Sequence, residues 1–152
     1  MFIRKQFHTL KERILEPRKF MQVLAGPRQV GKSTLVSQVL DQISIPHTLE
    51  MADAVDPKDG DWIHRVWEAA RTTMILRGLP EYLLVIDEVQ KIDNWSEVVK
   101  REWDADTRNR VNLKVVLLGS SRLLLKKGLT ESLAGRYELI RMSHWSLREM
   151  QE

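Results

Sequence analysis

The chain has 152 residues, of which 43% are apolar and 30% charged, and its 24 lysines and arginines against 21 aspartates and glutamates leave a formal charge of +3. That length suits one domain with its own core, and that composition excludes a disordered chain. With no cysteine present, a disulfide framework and a thiolate metal site are both excluded, and the interspersed charges lack the basic stripe of a dedicated nucleic-acid binder.

The first residues, Met-Phe-Ile-Arg-Lys-Gln, lack the apolar core of a signal peptide, and later apolar runs are strand-sized. The expectation is a cytoplasmic protein without a membrane span. Ile3, Phe7, Leu10 and Ile14 recur at helical spacing, which predicts a helix over 2–15 that Pro17 ends. The run Phe20-Met21-Gln22-Val23-Leu24-Ala25 then predicts a strand, and Leu35, Val36, Val39, Leu40 and Ile43 a helix after it.

Between that strand and that helix lies Gly26-Pro27-Arg28-Gln29-Val30-Gly31-Lys32-Ser33, the phosphate-loop pattern GxxxxGK[ST]. Glycines at 26 and 31 let the backbone close around phosphate oxygens, and the following helix offers unpaired N–H groups and the positive end of its dipole. Lys32 is expected to reach the β- and γ-phosphates, Ser33 to hold magnesium, and the stretch from Gly26 to Thr34 to bind the nucleotide.

Further along, Pro46 to Ala52 is a weakly patterned strand, and Asp53 to Gly60 is rich in turn residues. Ile63, Val66, Trp67, Ala70 and Met74 define an amphipathic helix that Gly78 and Pro80 terminate. Tyr82 to Ile86 is apolar on both faces, as a central parallel strand is, and Asp87 and Glu88 close it. Asn94 and Glu97 form a capping-box pattern before a helix with Val98, Val99 and Trp103 on its inner side. A strand over Lys114–Leu118 leads into Gly119-Ser120-Ser121, a leucine-rich helical segment follows, and Tyr137–Met142 is the last strand. This alternation predicts an α/β fold, a parallel sheet with helices on both faces and ligands beyond the carboxyl ends of the strands.

A carboxylate at the end of a buried strand needs a cation, so Asp87 is expected to face magnesium alongside Ser33. Glu88 beside it is placed to polarise an attacking water. Guanine-nucleotide switches carry Asp-x-x-Gly and Asn-Lys-x-Asp; here the first reads Asp87-Glu88-Val89-Gln90 and the second is missing, so ATP is the expected nucleotide. A kinase would need a substrate lid that the sequence does not display. Trp67 and Trp103 fit helical core faces, and His8, His47, His64 and His144 show no metal-ligand spacing.

Four phrases in this order, Gly-Pro-Arg-Gln-Val-Gly-Lys-Ser-Thr-Leu, Ile-Asp-Glu-Val-Gln-Lys, Leu-Leu-Gly-Ser-Ser and Ser-Leu-Ala-Gly-Arg, span nearly the whole chain. By them the chain resembles an AAA-type P-loop ATPase, and more closely the prokaryotic family of such predicted ATPases whose C-terminal domain is uncharacterised. The resemblance implies a three-layer αβα fold with a mainly parallel five-stranded sheet in the order 5-1-4-3-2. It implies magnesium-dependent ATP hydrolysis coupled to an unknown partner, with a nucleotide-gated binding module of little turnover as the alternative. Ser120 would be the sensor of the γ-phosphate or its attacking water, with Ser121 as rival and helix capping as the competing role. Arg136 would be an arginine finger on a neighbouring subunit's nucleotide, implying a homo-oligomer in a longer form. Its competing roles are balancing a helix dipole or pairing with a surface acid. Arg28 and Gln29 match the family's loop tip in a solvated or structural role, and Arg122 is a candidate phosphate sensor. Members continue into a lid and a C-terminal domain, so the expectation is an ATPase core of about 20–142 with the start of a linker at 143–152.

Overall fold

The computed structural model describes residues 5–27, 31–120 and 131–142. In chain order the elements are α1 (Lys5–Leu15), β1 (Met21–Ala25), α2 (Lys32–Gln42), β2 (His47–Met51), α3 (Trp62–Arg77), β3 (Tyr82–Asp87), α4 (Trp95–Asn109), β4 (Leu113–Gly119) and β5 (Tyr137–Arg141), with a short 3-10 turn at Val89–Lys91. Most of the leucine-rich segment expected after Ser121, residues 121–130, and the linker at 143–152 fall outside the described residues.

The strands form one sheet in the order β2-β3-β4-β1-β5, which is the expected 5-1-4-3-2 counted from the other edge. Every neighbouring pair is parallel, with Val23 opposite Leu117 and Leu139, and Val85 opposite Val116 and Leu49. Parallel strands need crossovers, and the helices that supply them bury both faces of the sheet. On one face Phe7, Leu10 and Ile14 of α1 and Leu35, Val36 and Val39 of α2 pack on Leu24, Val85, Val116 and Leu118. On the other, Trp67 and Met74 of α3 and Val99 and Trp103 of α4 pack on Val23, Leu84, Ile86 and Leu117. Each such fully buried side chain contributes roughly 1.5–3 kcal/mol.

The weak pattern of β2 has a structural cause. It is an edge strand in which no residue is fully buried, and Leu49 and Met51 stay exposed, so neither a core run nor a clean alternation is imposed on it. Helix α3 ends as expected, with Gly78 in the left-handed region (φ 61°) and its N–H returned to the Met74 and Ile75 carbonyls.

The capping box before α4 does not form. Asn94 takes φ 59°, and its side chain makes no cap bond; side-chain capping needs an extended residue at this position, which aims the oxygen at the first-turn amides. The Glu97 carboxylate instead accepts from the Ser132 hydroxyl. Behind α4, Asp106 is 1% exposed and accepts from Trp67 Nε1 at 2.7 Å and Arg71 Nε at 2.7 Å. Two helices of the same layer are thereby joined through a buried charge.

Candidate nucleotide-binding site

Strand β1 delivers the chain into a loop held by its neighbours. The Gly26 N–H donates to the Gly119 carbonyl at 3.3 Å, and the Met142 N–H donates to the Ala25 carbonyl at 2.8 Å. A Cβ at position 26 would lie 2.3 Å from the Met142 carbonyl oxygen, so this glycine is required by the close passage of the chain leaving β5. Gly31 is required for another reason: φ is 84° in open space, a left-handed turn that costs other residues about 1–2 kcal/mol. That turn starts α2, whose first amides have no intrahelical acceptors. Lys32 is buried, and its Nζ donates to the Gly26 and Pro27 carbonyls at 2.9 and 2.8 Å, which sets the ammonium against the loop. Arg28, Gln29 and Val30, expected at the loop tip, lie outside the described residues.

Strand β3 brings the acid pair to the same end of the sheet. The Ser33 hydroxyl donates to Asp87 Oδ2 at 3.1 Å. Burial pushes the Asp87 carboxyl above the ordinary aspartate range, and neighbouring Glu88 adds to this, while the Ser33 hydroxyl and the Lys32 charge oppose it. A buried carboxyl that resists ionisation invites a cation, and hydroxyl and carboxylate oxygens are the donors that magnesium takes. Glu88 follows at φ 58°, so the chain reverses sharply after the acid. Its Oε2 accepts from Gln90 Nε2 at 2.7 Å, and the same nitrogen lies 3.3 Å from Ser120 Oγ at the end of β4.

Between Gly31–Thr34 and Asp87–Glu88 opens a cleft of about 370 Å³, with Met51, Asp53 and Lys91 on its other walls. Lys91 is ion-paired with Asp53. Sequence reasoning missed Met51, Asp53, Gln90 and Lys91. A signal existed for Asp53: it directly follows the expected strand Pro46–Ala52, and strand ends are where such folds bind ligands.

A larger cavity of about 610 Å³ lies at the opposite ends of the strands, beside Arg13, Arg18 and Lys114. Two of its cations are engaged with the protein: Lys114 Nζ meets the Ile14 carbonyl at 2.8 Å and Glu81 at 3.2 Å, and Arg18 Nε meets the Leu113 carbonyl at 2.9 Å. His64 does gather with Glu68 and Glu102, although the histidine spacing gave no such indication. Arg71 lies between those two acids, 2.5 and 2.9 Å from them, and already supplies the positive charge a metal would bring.

Arg136 sits apart from the cleft. Its carbonyl accepts from the Met21 N–H at 2.9 Å, at the end of β1 away from the phosphate loop. Its guanidinium forks onto Asp104 of α4 at 2.8 and 3.0 Å, and that hydrogen-bonded charge holds the Asp104 carboxyl below the usual range. Ser121 and Arg122 lie outside the described residues.

A family model described as an AAA domain matches residues 18–151. The chain belongs to that family. The AAA domain is thus a P-loop ATPase-like nucleotide-binding module, and its cleft brings together a glycine-turned loop, a lysine, a helix N-terminus, the Ser33 hydroxyl and the Asp87 carboxyl. The chain is also 33% identical over 128 residues to an uncharacterised protein of Mycobacterium bovis and to one of Mycobacterium tuberculosis, with 84% of this chain aligned. It spans 26% of the length of each. Among the described residues, no helix is long and apolar enough to cross a membrane.

Proposed function

We propose that this AAA domain binds magnesium-ATP and hydrolyses it, driving a partner process that lies outside the domain. The observation that carries the reading is the Ser33 to Asp87 hydrogen bond of 3.1 Å, which joins the phosphate-loop helix to the strand carrying Glu88. Lys32 holds phosphate charge and Ser33 and Asp87 hold magnesium, with the backbone amides that open α2, from Gly31 to Thr34, facing the phosphates. Bound magnesium supplies charge neutralisation at the transferring phosphoryl group. Glu88 accepts the proton of a water whose oxygen attacks the γ-phosphorus, the bond to the leaving ADP oxygen breaks, and inorganic phosphate departs. Ser120, at the end of the adjacent strand, contacts the γ-phosphate or that water. The absence of cysteine suits a reducing cytoplasm, which is where this reading places the protein.

A second reading, a nucleotide-gated module with little turnover, is favoured by one observation: Arg136 is forked onto Asp104 rather than directed to the cleft. In that reading a partner subunit's arginine would be required for turnover. Single-turnover hydrolysis with protein in excess separates the two. We expect slow hydrolysis by the wild type and, in Glu88→Gln, unchanged magnesium-ATP affinity with hydrolysis reduced at least about a hundredfold. Equal turnover by both proteins would remove Glu88 as the base, and binding without hydrolysis by the wild type would leave the gated module as the reading for this chain.

A further inference from the structure

Gln90 has no place in the chemistry described so far, yet it touches both candidates that flank the reacting water. It is 6% exposed, and its amide nitrogen lies 2.7 Å from Glu88 Oε2 and 3.3 Å from Ser120 Oγ. The orientation of that amide follows from chemistry. The opposite flip would set a carbonyl oxygen against a carboxylate, whereas the amide's two N–H donors suit one carboxylate and one hydroxyl.

Backbone geometry makes the contact with Glu88 possible. At φ 58°, Glu88 turns the chain out of the strand direction, and the turn that follows is closed by the Lys91 N–H on the Glu88 carbonyl at 3.1 Å and the Ile92 N–H on the Val89 carbonyl at 3.2 Å. A left-handed glutamate is a strained choice that persists where its surroundings over-determine it. Here the turn brings the side chain of residue 90 back onto that of residue 88, beside the end of β4.

We propose that Gln90 is a positioning residue. Its amide sets the Glu88 carboxylate and the Ser120 hydroxyl at a fixed separation, so that a contact made by Ser120 is felt at the base. This rests on the hydrolysis reading and extends it, because it names what aims Glu88. Gln90 touches no substrate in this role and acts through its two neighbours.

The test has two arms, each using the 152-residue chain. In nucleotide-free protein, the side-chain amide resonance of Gln90 should shift on Glu88→Ala and, separately, on Ser120→Ala. The Glu88 carboxylate carbon should shift on Ser120→Ala in the wild-type background but not in Gln90→Ala. Absence of these shifts overturns the proposal without reference to nucleotide. In single-turnover hydrolysis, Gln90→Ala should lower the rate at least about tenfold while ADP affinity stays within about threefold, and it should cost nothing further in a Glu88→Gln background. If Gln90→Ala does not fold, Gln90→Glu, which keeps the shape but removes the donors, serves in its place. Wild-type turnover matched by the Gln90 variant, or losses that add to those of Glu88→Gln, overturns the positioning role alone. Wild-type protein that binds ADP and hydrolyses nothing removes the hydrolysis reading, and the positioning role falls with it.

Discussion

Ser33 donates its hydroxyl to Asp87 across 3.1 Å although 54 residues separate the two in sequence. One stands in the first turn of α2 and the other at the last position of β3, and β4 lies between the two strands that carry them into place. The bond therefore depends on the sheet order, since β3 and β1 are not neighbours. It also holds the acid where a cation bound to the serine would meet it.

The first prediction concerns pH. Asp87 has its carboxyl raised above the ordinary 3.8 chiefly by burial, so the folded state favours its protonated form. The stability this contributes is fully present below pH 3.8 and is lost as pH rises through the higher folded value. Without nucleotide, Asp87→Asn should therefore be more stable than wild type at pH 7, and the difference should shrink towards pH 3.8. The same substitution should abolish magnesium-dependent tightening of nucleotide binding. Urea melts across that range check the first, and calorimetric nucleotide titration with and without magnesium checks the second; a stability difference that does not change with pH would refute the assignment.

Lys32→Ala should lower ATP affinity at least about a hundredfold, since it removes the point charge that meets the phosphates. The structure adds a cost to this variant. Nζ also satisfies the Gly26 and Pro27 carbonyls, so a loss of about 1 kcal/mol in stability should accompany it. Calorimetric titration and thermal melting measure the two effects separately. Unchanged affinity would remove the phosphate-loop assignment.

Arg136 and Asp104 are each about a third exposed, and their pairing should contribute about 1 kcal/mol or less and weaken with salt. A finger role needs this fork to open at a subunit interface. In a longer form that assembles, Arg136→Ala and Lys32→Ala should each be inactive, and mixing them should restore turnover by pairing an intact loop with an intact arginine. Mixed oligomers seen by mass spectrometry without recovered activity would leave Arg136 only its bond to Asp104.

Asp106→Ala should be the most damaging substitution outside the cleft. It strands the Trp67 indole N–H and takes from Arg71 one of its three carboxylate partners, the one both groups now meet at 2.7 Å. Breaking a buried pair from one side costs about 3–5 kcal/mol. A chemical melt that moves by under about 1 kcal/mol would show that Arg71 finds full compensation at Glu102.

Most residues of the candidate site were legible in the chain because they stand side by side in it. Gly31, Lys32 and Ser33 are adjacent at the start of a helix, and Glu88 directly follows Asp87, the last residue of a strand, so spacing alone marks them as candidates. The strands were equally legible wherever both faces are buried, as in Tyr82–Asp87, because burial demands an unbroken apolar run. Only the tertiary structure decided what depends on separate segments meeting. Gly26 is required by a carbonyl from Met142, Arg136 spends its charge on Asp104, and His64 meets Glu102. It also decided that Asn94 does not cap its helix, and that Gln90 reaches Glu88 and Ser120 together. The physical reason is the same throughout: periodicity and motif spacing encode what a segment does with its own neighbours, whereas a contact across the sheet depends on strand order and register, which no single segment contains.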